Sequence, residues 1–77
     1  MPRCVHGKNR GPKILEEFGK RLRSLRRARG LSQESLAHEA DLDRTYVGGV
    51  ERGERNTSLL NIRKLADALG VSPRELV

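Results

Sequence analysis

Four stop signals cut most of this chain into short segments of one kind. Gly30, the Asp41–Leu42 step, Gly53 and Gly70 each follow a run whose apolar residues recur at steps of three and four, the period of an amphipathic helix. Ile14, Leu15, Phe18, Leu22 and Leu25 make the first stripe, and Leu36, Ala37 and Ala40 the second. Leu42, Val47 and Val50 make the third, and Leu59, Ile62, Leu65, Ala66 and Leu69 the fourth. Start signals stand where these stops require them. Ser32, Asp43 and either Thr57 or Ser58 can accept a hydrogen bond from a first-turn amide, and Glu34 places negative charge near a helix's positive end. Ser72-Pro73-Arg74-Glu75 is a capping box with proline at the first helical position, opening a last helix of one turn before Val77. No segment alternates as a strand does. The pattern predicts an all-α domain of five helices over residues 13–77.

Size and charge narrow the function. A chain of 77 residues has room for one core, and a core this small gives little support to a concave catalytic pocket. No apolar run approaches the ~20 residues of a membrane span, so no membrane partner is expected. Cys4 has no partner for a disulfide, and the basic N-terminus lacks a signal peptide's apolar stretch, which predicts a cytoplasmic protein. Cys4 and His6 are too few to make a metal site. Asp41 and Asp43 imitate the start of a calcium loop, but Tyr46 stands where it needs glycine and Arg52 where it needs glutamate. His38 has no acid–base constellation about it, and Asn56-Thr57-Ser58, a glycosylation acceptor by pattern, means little in a cytosolic chain. Phosphate-binding glycine loops, zinc-protease motifs and nucleophile elbows are absent, so neither an enzyme nor a cofactor is expected.

The formal charge of +6 is unevenly spread. Residues 1–29 hold ten Lys and Arg against Glu16 and Glu17, a balance of +8, while residues 30–77 hold six basic and eight acidic residues, a balance of −2. Pro2, Gly7, Gly11 and Pro12 interrupt the first stretch, so residues 1–12 read as a flexible basic arm suited to a polyanion. Lys20, Arg21, Arg23, Arg27 and Arg29 make a cationic face on the first helix.

The second and third helices, 32–40 and 43–52, are separated by a turn of two or three residues, and small Ala37 and Ala40 suit a close crossing. That is the plan of a helix-turn-helix, whose second helix enters the DNA major groove. Arg44, Thr45, Gly48, Gly49 and Arg52 share its outward face by spacing. Arg44 is suited to a two-pronged contact with guanine O6 and N7. Tyr46 lies on the boundary, either facing DNA or closing the edge of the core. Gly48 and Gly49 each weaken the helix by about 1 kcal/mol relative to alanine. With no side chains there, the backbone is expected to approach DNA closely, with part of the specificity coming from DNA shape.

Leu31-Ser32-Gln33-Glu34-Ser35-Leu36-Ala37, Val50-Glu51-Arg52-Gly53 and Leu65-Ala66-Asp67-Ala68-Leu69-Gly70-Val71-Ser72 resemble the lambda-repressor-like (XRE-type) helix-turn-helix family over about residues 15–77. Within it, Asp43 to Asn56 is similar to controller proteins of restriction–modification systems. The resemblance implies a homodimer on a pseudo-palindromic operator, acting as activator or repressor. It implies that Gln33 meets a phosphate, that Arg55 and Asn56 contact the backbone and groove edge, and that Glu51 pairs with Arg26. Many relatives have glycine in the turn where this chain has Asp41, so a left-handed backbone there would rest on aspartate. With no sensor domain after residue 77, dimerisation is expected at the end of the domain, through Leu60, Leu69, Val71, Leu76 and Val77. Glu34, Glu39, Asp41 and Asp43 form an acidic edge that in related activators touches RNA polymerase. The alternative readings are an antitoxin-type protein with a protein partner and a phage-type repressor.

Overall fold

The computed structural model describes residues 13–76. The expected arm, the Cys4–His6 pair and the side chain of Val77 lie outside the described residues. Four α-helices follow in order: α1 (Lys13–Ala28), α2 (Gln33–Ala40), α3 (Arg44–Glu51) and α4 (Leu59–Leu69). The fifth expected helix is a single 3₁₀ turn, Pro73–Glu75. Three residues are too few for an α-helical bond, so the Glu75 amide donates to the Ser72 carbonyl at 2.9 Å, while the Ser72 amide donates to Glu75 Oε2 at 3.3 Å.

The caps form where side-chain chemistry places them. Ser32 Oγ accepts from the Ser35 amide, Asp43 Oδ2 from the Thr45 amide at 3.1 Å, and Ser58 Oγ, rather than Thr57, from the Asn61 amide. Asp41 ends α2 at φ 59°, ψ 46°, and is the one non-glycine residue with positive φ among the described residues.

The core is Phe18 and Leu22 from α1, Leu36, Ala37 and Ala40 from α2, Val47 and Val50 from α3, Leu65, Ala66 and Leu69 from α4, and Leu76. α3 packs against both α1 and α2, and α2 also packs against α4. The α1–α3 seam depends on Gly19. A Cβ there would stand 2.5 Å from the carbonyl oxygens of both Val50 and Glu51, so the two helices meet backbone to backbone.

Four expectations are corrected. Ile14 and Leu59, assigned to buried stripes, are 68% and 86% exposed, because each lies in the first turn of its helix, beyond the edge of the core. Leu69 and Leu76, assigned to a dimer surface, are 0% and 1% exposed and fill the monomer's own core, so neither can meet a partner. Arg29 leaves the cationic face and donates to the Leu69 carbonyl, satisfying the C-terminal end of α4. Gly48 and Gly49 are buried beneath side chains rather than bare.

Candidate nucleic-acid interface

α3 is short and carries two glycines, so its own propensity does not account for it. An ion pair at its C-terminal end holds it. Arg26, on the inward face of α1, donates from Nε to Glu51 Oε2 at 2.6 Å and from Nη2 to Oε1 at 3.0 Å. The two side chains are 10% and 3% exposed. Gln33 Nε2, at the start of α2, donates to the same Glu51 Oε1 at 3.0 Å, and Arg26 Nη1 to the Leu31 carbonyl at 2.8 Å. One carboxylate on α3 thus receives three donors from α1 and α2, and the guanidinium also secures the turn between those helices. Two-pronged Arg–carboxylate geometry fixes orientation as well as distance.

This cluster sets what α3 presents. Arg44 and Thr45 are exposed at its N-terminal end, and Asp43 caps them. Arg52 is exposed and pairs with Glu54 at 3.1 Å. Arg55 folds back over Gly49, where an added Cβ would stand 2.8 Å from its Cδ, and Arg52 and Gln33 cover Gly48. The glycines therefore make room for long polar side chains, and the α3 backbone expected to approach DNA closely is covered by Arg55 at Gly49 and by Arg52 and Gln33 at Gly48.

Tyr46 is half-buried and packs against the core. Its hydroxyl accepts from Asn61 Nδ2 at 3.0 Å and donates to the Asn56 carbonyl at 3.3 Å, tying the loop after α3 to α4. Of the two readings, the edge-of-core tyrosine has the contacts. Asn56 is exposed, with Oδ1 accepting from the Thr57 amide. Gln33, Arg44, Thr45, Arg52, Arg55 and Asn56 thus belong to the region formed by α3, the start of α2 and the loop after α3. Among the described residues no group of His, Cys, Asp and Glu could hold a metal, and no helix is long and apolar enough to cross a membrane.

Three features escaped sequence reasoning: the Gly19 contact, the Gln33–Glu51 bond and the Asn61–Tyr46 bond. Only the first has a sequence signal, a glycine inside an apolar helical stripe, where it is unfavourable unless another backbone approaches closely.

The model of a helix-turn-helix family matches residues 22–76. The chain belongs to this family. It is similar to the restriction–modification controller protein C.AhdI from Aeromonas hydrophila, whose crystal structure superposes with a TM-score of 0.84 at 64% identity, covering 86% of this chain and all of that one. It is 51% identical over 61 residues to the control protein C.BamHI of Bacillus amyloliquefaciens, covering 78% of this chain and 75% of that one. It is 48% identical over 64 residues to the control protein C.MunI of a Mycoplasma species, covering 82% and 86%. The expected resemblance to restriction–modification controllers is borne out. The helix pair of this family is here α2 and α3, and Gln33 and Glu51 join them directly.

Proposed function

We propose that this chain is a sequence-specific DNA-binding transcriptional regulator that acts as a homodimer on a pseudo-palindromic operator, in the manner of a restriction–modification controller. The observation that carries this reading is the pair Arg44–Thr45, exposed at the N-terminal end of a helix whose other end is fixed by the Arg26–Glu51–Gln33 cluster. A rigidly aimed helix end can discriminate base edges in the major groove. Arg44 reads a guanine, Arg52, Arg55 and Asn56 meet the groove edge and its phosphates, and Gln33, with the α2 amides, meets a phosphate.

One copy makes few contacts, and two-fold symmetry supplies a second recognition helix about 34 Å away. The apolar surface left for that partner is Leu60, 64% exposed, with Leu59 and half-buried Val71. The exposed acids Glu34 and Glu39 on α2 are the part of the acidic edge suited to RNA polymerase, since Asp43 is engaged as a cap and Asp41 ends the helix. Reversing both charges is expected to abolish activation and spare operator binding; loss of both together removes that assignment.

The deciding experiment is selection of bound sequences from a random DNA pool, with parent and Arg44→Ala. A two-fold motif that loses one base preference per half-site in the variant is expected, a discrimination of about 1–3 kcal/mol. Failure of the parent to enrich any motif overturns the proposal.

A further inference from the structure

The region assigned to base reading carries the wrong net charge for its partner. From Gln33 to Asn56 three arginines (Arg44, Arg52, Arg55) stand against six carboxylates (Glu34, Glu39, Asp41, Asp43, Glu51, Glu54). Affinity for a duplex comes largely from neutralised phosphates, so the cations must be drawn from elsewhere in the domain. α1 has them. Its buried face is Phe18, Gly19, Leu22 and Arg26, and the neighbouring stripe at helical spacing is Glu16, Lys20, Arg23 and Arg27. Lys20, Arg23 and Arg27 are all exposed, none is ion-paired with a described carboxylate, and with Ser24 they line one open depression.

Two glycines show which way that stripe turns. Gly19 sets α1 against the Val50 and Glu51 carbonyls, and Gly53, just past α3, lies so near α1 that its Cβ would stand 3.0 Å from Glu16 Cα. The end of α3 therefore runs along the Glu16 side of α1, and the Lys20–Arg23–Arg27 stripe borders this seam on the solvent side. At the C-terminal end of α1, Arg26 reaches Glu51 and the Leu31 carbonyl, and Glu51 receives Gln33, which ties the start of α2 to α1 through Arg26, the residue before Arg27. From Lys20 to Arg27 the helix rises about 10 Å, the axial length of about three nucleotides on one strand.

We infer that Lys20, Arg23 and Arg27 form a phosphate-gripping ridge that engages the DNA backbone flanking the bases read by α3, on the same duplex. The inference rests on the DNA-binding reading above and adds to it a surface outside the helix-turn-helix. The ridge supplies affinity without base preference, and the acidic reading unit supplies preference without much affinity.

The test compares the parent with Lys20→Gln/Arg23→Gln/Arg27→Gln, and with Lys64→Gln/Arg74→Gln as a control for charge lost elsewhere. Glutamine has a helix propensity close to that of the residues replaced, so the melting temperature should be kept. Affinity is measured against salt on a duplex carrying the selected motif and on a scrambled one. The triple variant is expected to bind both duplexes more than a hundredfold more weakly at about 0.1 M salt, with an unchanged ratio between them. For a dimer losing six phosphate contacts the log–log slope should be shallower by about 5. Phosphate-ethylation interference should lose its outermost positions at each half-site. A triple variant that melts and binds like the parent, with the same slope, overturns the inference while the DNA-binding reading stands. So does one that weakens no more than the control. A parent that binds no duplex removes the DNA-binding reading itself, and the ridge with it.

Discussion

α1 and α3 obtain their helical form in different ways. α1 runs for sixteen residues with a clear inward stripe, so its periodicity is enough to place it. α3 runs for eight, includes Gly48-Gly49, and is buried from Val47 through Glu51. Its shape comes from a cap at one end, an ion pair at the other, and glycine-mediated contact with α1 along its side. The helix proposed to read the bases is thus the one least able to form alone. Its neighbours set its geometry, and Glu51 is the contact that all of them share.

The largest expected effect follows from that contact. Arg26→Ala or Glu51→Ala leaves a buried charge without its partner and should cost about 3–5 kcal/mol, most of the stability of a domain this small, read as a collapse of the thermal melt by circular dichroism. The double variant Arg26→Met/Glu51→Leu removes both charges and should melt above either single variant. Unchanged melting in either single variant would mean that α3 does not depend on α1.

A second pair of variants separates the helices by their glycines. At Gly19 an added methyl meets fixed carbonyl oxygens, so Gly19→Ala should lose about 1–3 kcal/mol despite a better helix propensity. At Gly49 it meets the movable Arg55 side chain, so Gly49→Ala should melt no lower than the parent, while displacing Arg55 and weakening DNA binding. Equal melting losses at the two sites would erase the distinction. The smallest effect is expected for Tyr46→Phe, which breaks the bonds to Asn61 and the Asn56 carbonyl. It should lower stability by about 0.5–1 kcal/mol and keep every base preference. Loss of a base preference without a change in melting would return Tyr46 to the DNA-facing reading.

Much of the fold was legible because helix boundaries are written in local chemistry. Ser32, Asp43, Ser58, Gly30, Gly53 and Gly70 act within a turn of their own position, and so does the left-handed Asp41. The Arg26–Glu51 pair was legible only through family resemblance, since nothing local links residues 25 positions apart. The misassignments share a cause. Apolar character alone does not say whether a leucine faces its own core or another copy, and Leu69 and Leu76 were lost that way. Period alone does not say where the core ends, which is why Ile14 and Leu59 went astray. A bare glycine on an outward face gives no hint that a side chain six residues later covers it, as Arg55 covers Gly49.

Asp41 has a consequence for how such a domain can change. Its left-handed backbone costs an L-residue about 1 kcal/mol that glycine would not incur, though a carboxylate side chain tolerates the conformation better than most. Every aspartate codon becomes a glycine codon by altering one base. A gain in heat tolerance is therefore a single point mutation away, in the turn that joins α2 to α3, three residues before Arg44.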